Sequence, residues 1–197
     1  MTRTAFLDRD GTINRDVDFL GSPERLELLP GARDAVRRLA QAGFRVVITT
    51  NQSGIARGYY SERDLARVHE AMHTMLDRVP LAYLHCPHHP GLDGGGREGG
   101  DAPTNGYRRA CACRKPAAGM LHEAKALLGP FGVSFEGAVV IGDSARDVLM
   151  ARGLPITKIL VRSGKPIEPQ RQHLRAAACP PDHEAADLAT AVDWLLR

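Results

Sequence analysis

Thr4-Ala5-Phe6-Leu7-Asp8-Arg9-Asp10-Gly11-Thr12 begins as a short apolar run and ends in two carboxylates and a glycine. Thr4 to Leu7 reads as a buried strand, and Gly11 lets the chain turn away directly after it. Similar apolar runs recur at Arg45–Thr49, Ala82–His85, Ala138–Ile141 and Lys158–Val161. Between them lie stretches of helical period. Gly31–Ala42 carries Ala32, Ala35, Val36, Leu39 and Ala40 at helix spacing and stops at Gly43. Ser61 is placed as an N-cap, with Leu65, Val68, Met72, Met75, Leu76 and Val79 forming one stripe that Pro80 closes. Pro116 is expected to open a helix whose core face is Met120, Leu121, Ala124 and Leu127. Ala145–Arg152 and Ala185–Leu196 complete the set, while Gly164–Pro181, rich in Pro, Gln and Arg, reads as an irregular surface segment. Strands alternating with helices make an α/β fold, a Rossmann-like parallel sheet covered on both faces.

The 197 residues have room for one domain of ordinary size, 1–197, with 43% hydrophobic and 25% charged residues, the balance of a globular protein. No apolar run approaches the roughly 20 residues that span a bilayer, and Met1–Asp10 lacks the plan of a secretion signal. A cytoplasmic location and no membrane partner follow as expectations. A net charge of +3 with scattered Arg gives no support for a nucleic-acid partner. A monomer is the default expectation.

Asp8, Asp10 and Asp143 each follow an apolar run, so in a parallel sheet all three project from the carboxyl edge, where open α/β folds bind ligands. Clustered carboxylates repel one another unless a cation balances them, and hard oxygen ligands suit Mg²⁺. Strand-end aspartates also serve simply as turn formers. The segment Phe6–Thr12 resembles the first signature of the haloacid dehalogenase (HAD) superfamily of phosphotransferases. Three further stations match in order: Thr50 as the hydroxyl residue, Lys115 as the basic residue, and Gly142-Asp143-Ser144-Ala145-Arg146-Asp147 as the acidic motif. The resemblance implies that Asp8 is a nucleophile forming an aspartyl-phosphate and Asp10 its acid and base. It further implies that Asp8, Asp143 and the Asp10 carbonyl hold Mg²⁺, while Asp147 orients Lys115 or the metal waters. Short gaps between the stations leave no space for a separate cap domain.

Cys86-Pro-His88 and Cys111-Ala-Cys113 offer four ligands of the kind that close a tetrahedral Zn²⁺ site, separated by a Gly-rich stretch with little apolar content of its own to pack. A metal-binding loop at 86–113 is therefore expected, structural because it is closed. His85 and His89 compete with His88, and Cys179 stands apart as an unpaired thiol.

Thr50-Asn51-Gln52-Ser53-Gly54-Ile55-Ala56-Arg57-Gly58, with Cys86-Pro-His-His-Pro and Cys111-Ala-Cys-Arg-Lys-Pro116, resembles one HAD branch, the D-glycero-D-manno-heptose-1,7-bisphosphate 7-phosphatases. The branch works in nucleotide-activated heptose synthesis for bacterial surface polysaccharide, including lipopolysaccharide. Histidinol-phosphate phosphatases share the metal loop and stand as the alternative, and a zinc-stabilised binding module as the non-enzyme alternative. The resemblance selects His88 as the fourth Zn²⁺ ligand. It assigns sugar contacts to Asp16, Val17, Asp18 and Phe19, phosphate-side contacts to Asn51, Gln52 and Ser53, and the distal end of a sugar bisphosphate to Arg114, with Ser144 as a further substrate-binding residue. Arg9 and Arg57 are read as surface ion-pairing residues. The stretch Gly91–Arg109 is longer and richer in glycine than the branch leads one to expect, and the anomer is left open.

Overall fold

The computed structural model describes residues 2–91 and 106–197, so most of the Gly-rich stretch 91–109 lies outside the described residues. Six parallel strands form one sheet: β1 (Arg3–Leu7), β2 (Phe44–Asn51), β3 (Ala82–Cys86), β4 (Ala138–Gly142), β5 (Ile156–Val161) and β6 (His183–Ala185). Their spatial order is β3-β2-β1-β4-β5-β6. The chain winds outward from β1 through β2 to β3, then returns to the other side of β1 as β4. A crevice therefore opens beyond the ends of β1 and β4, at the point where the winding reverses.

Burial explains why the central strands were legible. Phe6, Leu7 and all five residues of β4 are buried, because helices cover both faces. On one face α1 (Ala32–Gln41), α2 (Glu62–Met75) and α6 (Leu188–Leu195) pack Val36, Leu39, Val68, Met72 and Val192 against Ala5, Leu7 and Ile48. On the other, α3 (Gly119–Leu128), α4 (Ala145–Met150) and α5 (Ile167–Ala176) meet Phe6, Val47, Val140 and Leu160. Ser61 caps α2 in a capping box with Asp64, as its position before the helical stripe led one to expect. Among the described residues no helix is long and apolar enough to cross a membrane.

Several expectations are corrected. Pro116 does not open α3: residues 114–118 form a turn, with Ala117 N–H donating to Arg114 O at 2.9 Å, and the helix starts at Gly119. Leu127 is 62% exposed, and the next residue, Leu128, packs against the core in its stead. Met75 and Ala40 likewise lie on solvent-facing sides of their helices. The segment 164–181 contains α5, which was invisible because Leu174 is its single buried residue and Pro169 suggests a break. Pro169 sits in the first helical turn, where a missing N–H costs nothing. The closing helix runs over Leu188–Leu195 only, and the residues before it form β6, an edge strand of three residues that carries no periodic signal. Cys179 packs as a small apolar residue with Leu174, Val148 and Leu160.

Leu39 is fully buried between α1 and the sheet. Leu39→Ala is expected to lower the unfolding free energy by about 2–5 kcal/mol, read as a shifted midpoint in urea denaturation with an unchanged slope.

Candidate active site

The crevice is built around a buried ammonium. Lys115 is 3% exposed, and its Nζ donates to Asp8 Oδ1 at 2.6 Å, Asp147 Oδ1 at 2.5 Å and Thr49 O at 2.9 Å. All three of its protons are thereby used. Asp8 continues the ladder of β1, its N–H donating to Ile141 O at 2.9 Å, so the two central strands aim its side chain into the crevice. Asp147 lies in the first turn of α4, where Oδ2 accepts from Ser144 N–H at 3.0 Å and Ser144 Oγ at 2.7 Å. Asp143 completes the group, its Oδ2 accepting from Lys165 N–H at 2.8 Å.

Asp8, Asp143 and Asp147 bring carboxylate oxygens within 4.8 Å of one another, all three buried. One ammonium does not balance three such charges. Burial and the Asp147 carboxylate push Asp8 well above the ordinary range despite Lys115, and burial with Asp147 pushes Asp143 up to about 6. Burial pulls Lys115 down, but Asp147 and Asp8 outweigh it and hold the ammonium charged. Among the described residues no protein donor reaches Asp8 Oδ2 or Asp143 Oδ1. A hard divalent cation fits this surplus of negative charge and its spare oxygens. Both oxygens of Asp147 are already engaged.

Asp10 lies beside this group in a separate network. Burial raises its carboxyl, but the Arg9 guanidinium and donors from Asn14 and Gln52 prevail and hold it below the ordinary range. Arg9 Nη2 is 2.9 Å and Nε 3.2 Å from Asp10 Oδ2, Asn14 Nδ2 is 3.0 Å from Oδ1, and Gln52 Nε2 is 3.0 Å from Oδ2. Arg9 is thus no surface residue. It is 1% exposed, and its remaining nitrogen Nη1 meets His69 Nε2 at 3.3 Å. Arginine does not give up its proton, so His69 Nε2 is the acceptor and its imidazole is neutral. Burial and Arg9 push His69 down to about 3.

Thr50 Oγ1 accepts from Gln52 Nε2 at 2.7 Å, and Tyr60 Oη donates to Gln52 Oε1 at 2.5 Å, which fixes the way the amide points. Asn51 clips the Lys115 backbone with two bonds, Nδ2 to O at 3.1 Å and Oδ1 from N–H at 3.0 Å. The cleft above, about 230 Å³, is lined by Asp8, Asp10, Asp16, Val17, Asp18, Phe19, Thr50, Asn51, Ser53, Arg114, Lys115, Asp143 and Ser144. Gln52 is not on its wall: at 3% exposure it sits behind Asp10 and Thr50 and reaches the cleft through them. Tyr60, Arg146 and Lys165 also line it and escaped sequence reasoning, since each comes from a segment read as helix start, helix body or surface loop. Among the described residues Arg57 makes no ion pair. Its Nη2 lies 3.3 Å from His89 Nε2 and its guanidinium 5.8 Å from the Phe19 ring.

Beyond Arg114 the cysteines converge. Cys113 Sγ is 3.2 Å from Cys86 Sγ and 3.4 Å from Cys111 Sγ, Cys86 and Cys111 are 3.5 Å apart, and His88 Nδ1 is 3.3 Å from Cys113 Sγ. None is disulfide-bonded. Metal–sulfur bonds of about 2.3 Å in a tetrahedron place ligand atoms roughly 3.8 Å apart, so the four groups fit around one ion. His85 faces Glu62 and His89 faces Arg57, which leaves His88 as the histidine of the cluster. Burial pushes the Cys86 thiol up. The loop also carries the cleft: Arg114 Nη1 donates to His88 O at 3.1 Å.

A family model described as HAD-hydrolase-like matches residues 112–191. D-glycero-β-D-manno-heptose-1,7-bisphosphate 7-phosphatase of Escherichia coli K12 is 39% identical over 172 residues, 85% of this chain and 83% of the relative. The Salmonella typhi enzyme of the same name is 37% identical over 196 residues, 98% and 88% of the two chains. The chain belongs to this heptose-bisphosphate phosphatase family of the HAD superfamily. The crystal structure of the B. bronchiseptica D,D-heptose 1,7-bisphosphate phosphatase, complexed with magnesium and phosphate, superposes with a TM-score of 0.75 at 34% identity, covering 99% of this chain and 98% of the other.

Within this phosphatase, Lys115→Met leaves Asp8 and Asp147 buried without their counter-ion. In metal-free protein it is expected to lower the unfolding free energy by about 3–5 kcal/mol, measured by urea denaturation. His69 yields a pH prediction. Between pH 6.5 and about 3 the unfolded chain takes up a proton that the folded imidazole refuses, so stability falls as pH falls across that window. His69→Gln should remove up to about 1.4 kcal/mol per pH unit from that slope, read from denaturation midpoints across the same range.

Proposed function

We propose that the chain removes the 7-phosphate of D-glycero-D-manno-heptose 1,7-bisphosphate, with Asp8 as nucleophile. The observation behind this is Lys115 gripping one oxygen of Asp8, while the other has no protein donor among the described residues and Asp8 lines a cleft with Asp143 and Asp10. The names of the curated relatives support the β anomer.

Lys115 orients Asp8 so that Oδ2 attacks phosphorus opposite the sugar oxygen, and the phosphorus–oxygen bond to C7 breaks as the aspartyl-phosphate forms. The departing alkoxide takes a proton from Asp10. The incoming dianion favours protonation of Asp10 against the pull of Arg9. In the second step Asp10, again a carboxylate clamped by Arg9, Asn14 and Gln52, takes a proton from the water that cleaves the acyl phosphate. Thr50 Oγ donates to the phosphoryl oxygens, its own lone pair being occupied by Gln52. Mg²⁺, held by the side chains of Asp8 and Asp143 and the Asp10 carbonyl, would neutralise phosphoryl charge. Arg114 takes the distal phosphate, for which its planar fork is suited. The cysteine cluster holds Zn²⁺ as a structural clip that ties the segment 86–113 to the cleft. The chain acts as a cytoplasmic monomer of one domain without a cap.

Asp8→Asn should lower kcat by about 10³-fold or more while the protein stays folded, measured by phosphate release with Mg²⁺ present. Retained Mg²⁺-dependent turnover would remove Asp8 from its role. The wild type is expected to favour heptose 1,7-bisphosphate over histidinol phosphate in kcat/KM, and the reverse order would install the histidinol-phosphate reading. Metal analysis after dialysis should find about one Zn per chain.

A further inference from the structure

The loop after β5 is fastened to the catalytic loop at several points. Ser163 Oγ donates to Gly11 O at 2.7 Å. Gly164 approaches so closely that a Cβ there would lie 2.0 Å from Asp143 Oδ2 and 2.7 Å from Gly11 Cα. Only glycine fits, and the next residue, Lys165, donates its backbone N–H to Asp143 Oδ2 at 2.8 Å. The Lys165 side chain turns the other way. Its Nζ lies 2.8 Å from Asp16 Oδ2, both side chains are 38% exposed, and both line the cleft. The two functions of this residue are therefore separable: the backbone positions Asp143 whatever the side chain is.

A half-exposed ion pair adds little to stability, so fold maintenance does not account for it. Its position does. Asp16 arrives from the loop after β1 and Lys165 from the loop after β5, and they meet over the mouth of the cleft next to Asp143. The ammonium keeps two protons beyond the one shared with Asp16, and the carboxylate keeps lone pairs. Their net charge is zero, so the pair holds little attraction for a phosphate. A vicinal diol matches it, one hydroxyl accepting from the ammonium while its neighbour donates to the carboxylate. Elsewhere on the rim Arg114 and Arg146 line the cleft with no carboxylate partner among the described residues, which suits an anion.

We propose that Lys165 and Asp16 act together as a diol-reading pair, making Lys165 a specificity residue that selects the polyol segment of the substrate. This rests on the sugar-bisphosphate reading above and assigns the hydroxyl-bearing part of that substrate to one side of the cleft.

The test uses purified full-length protein with Mg²⁺, comparing heptose 1,7-bisphosphate with p-nitrophenyl phosphate, which has no hydroxyls. Lys165→Met and Asp16→Asn should each lower the ratio of kcat/KM values, sugar over aryl phosphate, by about tenfold, chiefly through KM for the sugar. The double variant should lose no more than the worse single one, because either change destroys the same pair. Lys165→Arg should recover part of the ratio. An unchanged ratio in either single variant, a loss confined to kcat, or additive losses in the double variant would overturn the pair. Wild-type turnover of the heptose bisphosphate tests the underlying reading separately; should another sugar phosphate prove the better substrate, the same ratio is taken on that one.

Discussion

A single buried ammonium holds the site together. Lys115 draws on four parts of the chain: Asp8 beyond β1, the carbonyl of Thr49 in β2, Asp147 in α4, and its own place after the cysteine cluster. Buried charges are tolerated only with partners of good geometry, so each of these elements is constrained by the same ion group. The parallel sheet makes the meeting possible, because β1 and β4 are neighbours whose connections leave in opposite directions. The excess of carboxylate over ammonium then makes the site a cation acceptor. Electrostatic compensation and metal affinity are two aspects of one arrangement.

Around this group the cleft separates its tasks by charge. Asp10 is removed from the Lys115 network and given to Arg9, so that two aspartates two residues apart meet opposite environments: one is pushed toward protonation by burial and neighbouring acids, the other held ionised. These are the environments of the free site: a bound cation would favour the ionised Asp8, and bound phosphate would favour protonation of Asp10. Gln52 ties the second network to Thr50, and Tyr60 sets the direction of the Gln52 amide. The rim is organised likewise, with Arg114 hung from His88 of the cysteine cluster and the neutral Lys165–Asp16 pair near Asp143. The cluster thus serves the cleft as well as its own loop: its last cysteine immediately precedes Arg114 and Lys115.

Much of this was legible in the chain alone. The central strands showed themselves because burial on both faces demands unbroken apolar runs, and the aspartates showed themselves because each ends such a run. Ligand chemistry brought Cys86, Cys111 and Cys113 together with a nearby histidine, while the choice of His88 over His85 and His89 came from the family resemblance. What escaped was short, polar or dependent on partners distant in sequence. β6 has three residues, α5 buries one side chain, and Pro116 resembles a helix start but occupies a turn.

Arg9 marks the boundary. Sequence alone determined that two carboxylates leave a buried strand with a basic residue between them, since strand period and residue type are local properties. Whether that arginine meets water or Asp10 and His69 depends on α2, some sixty residues away, and only the tertiary structure decided it. The same holds for Lys165, whose segment has no local pattern and acquires its place when β5 packs beside β4 and delivers Gly164 against Gly11. Chemistry carried by a residue's own type can be read along the chain. Chemistry that comes from what a residue is buried against waits for the fold.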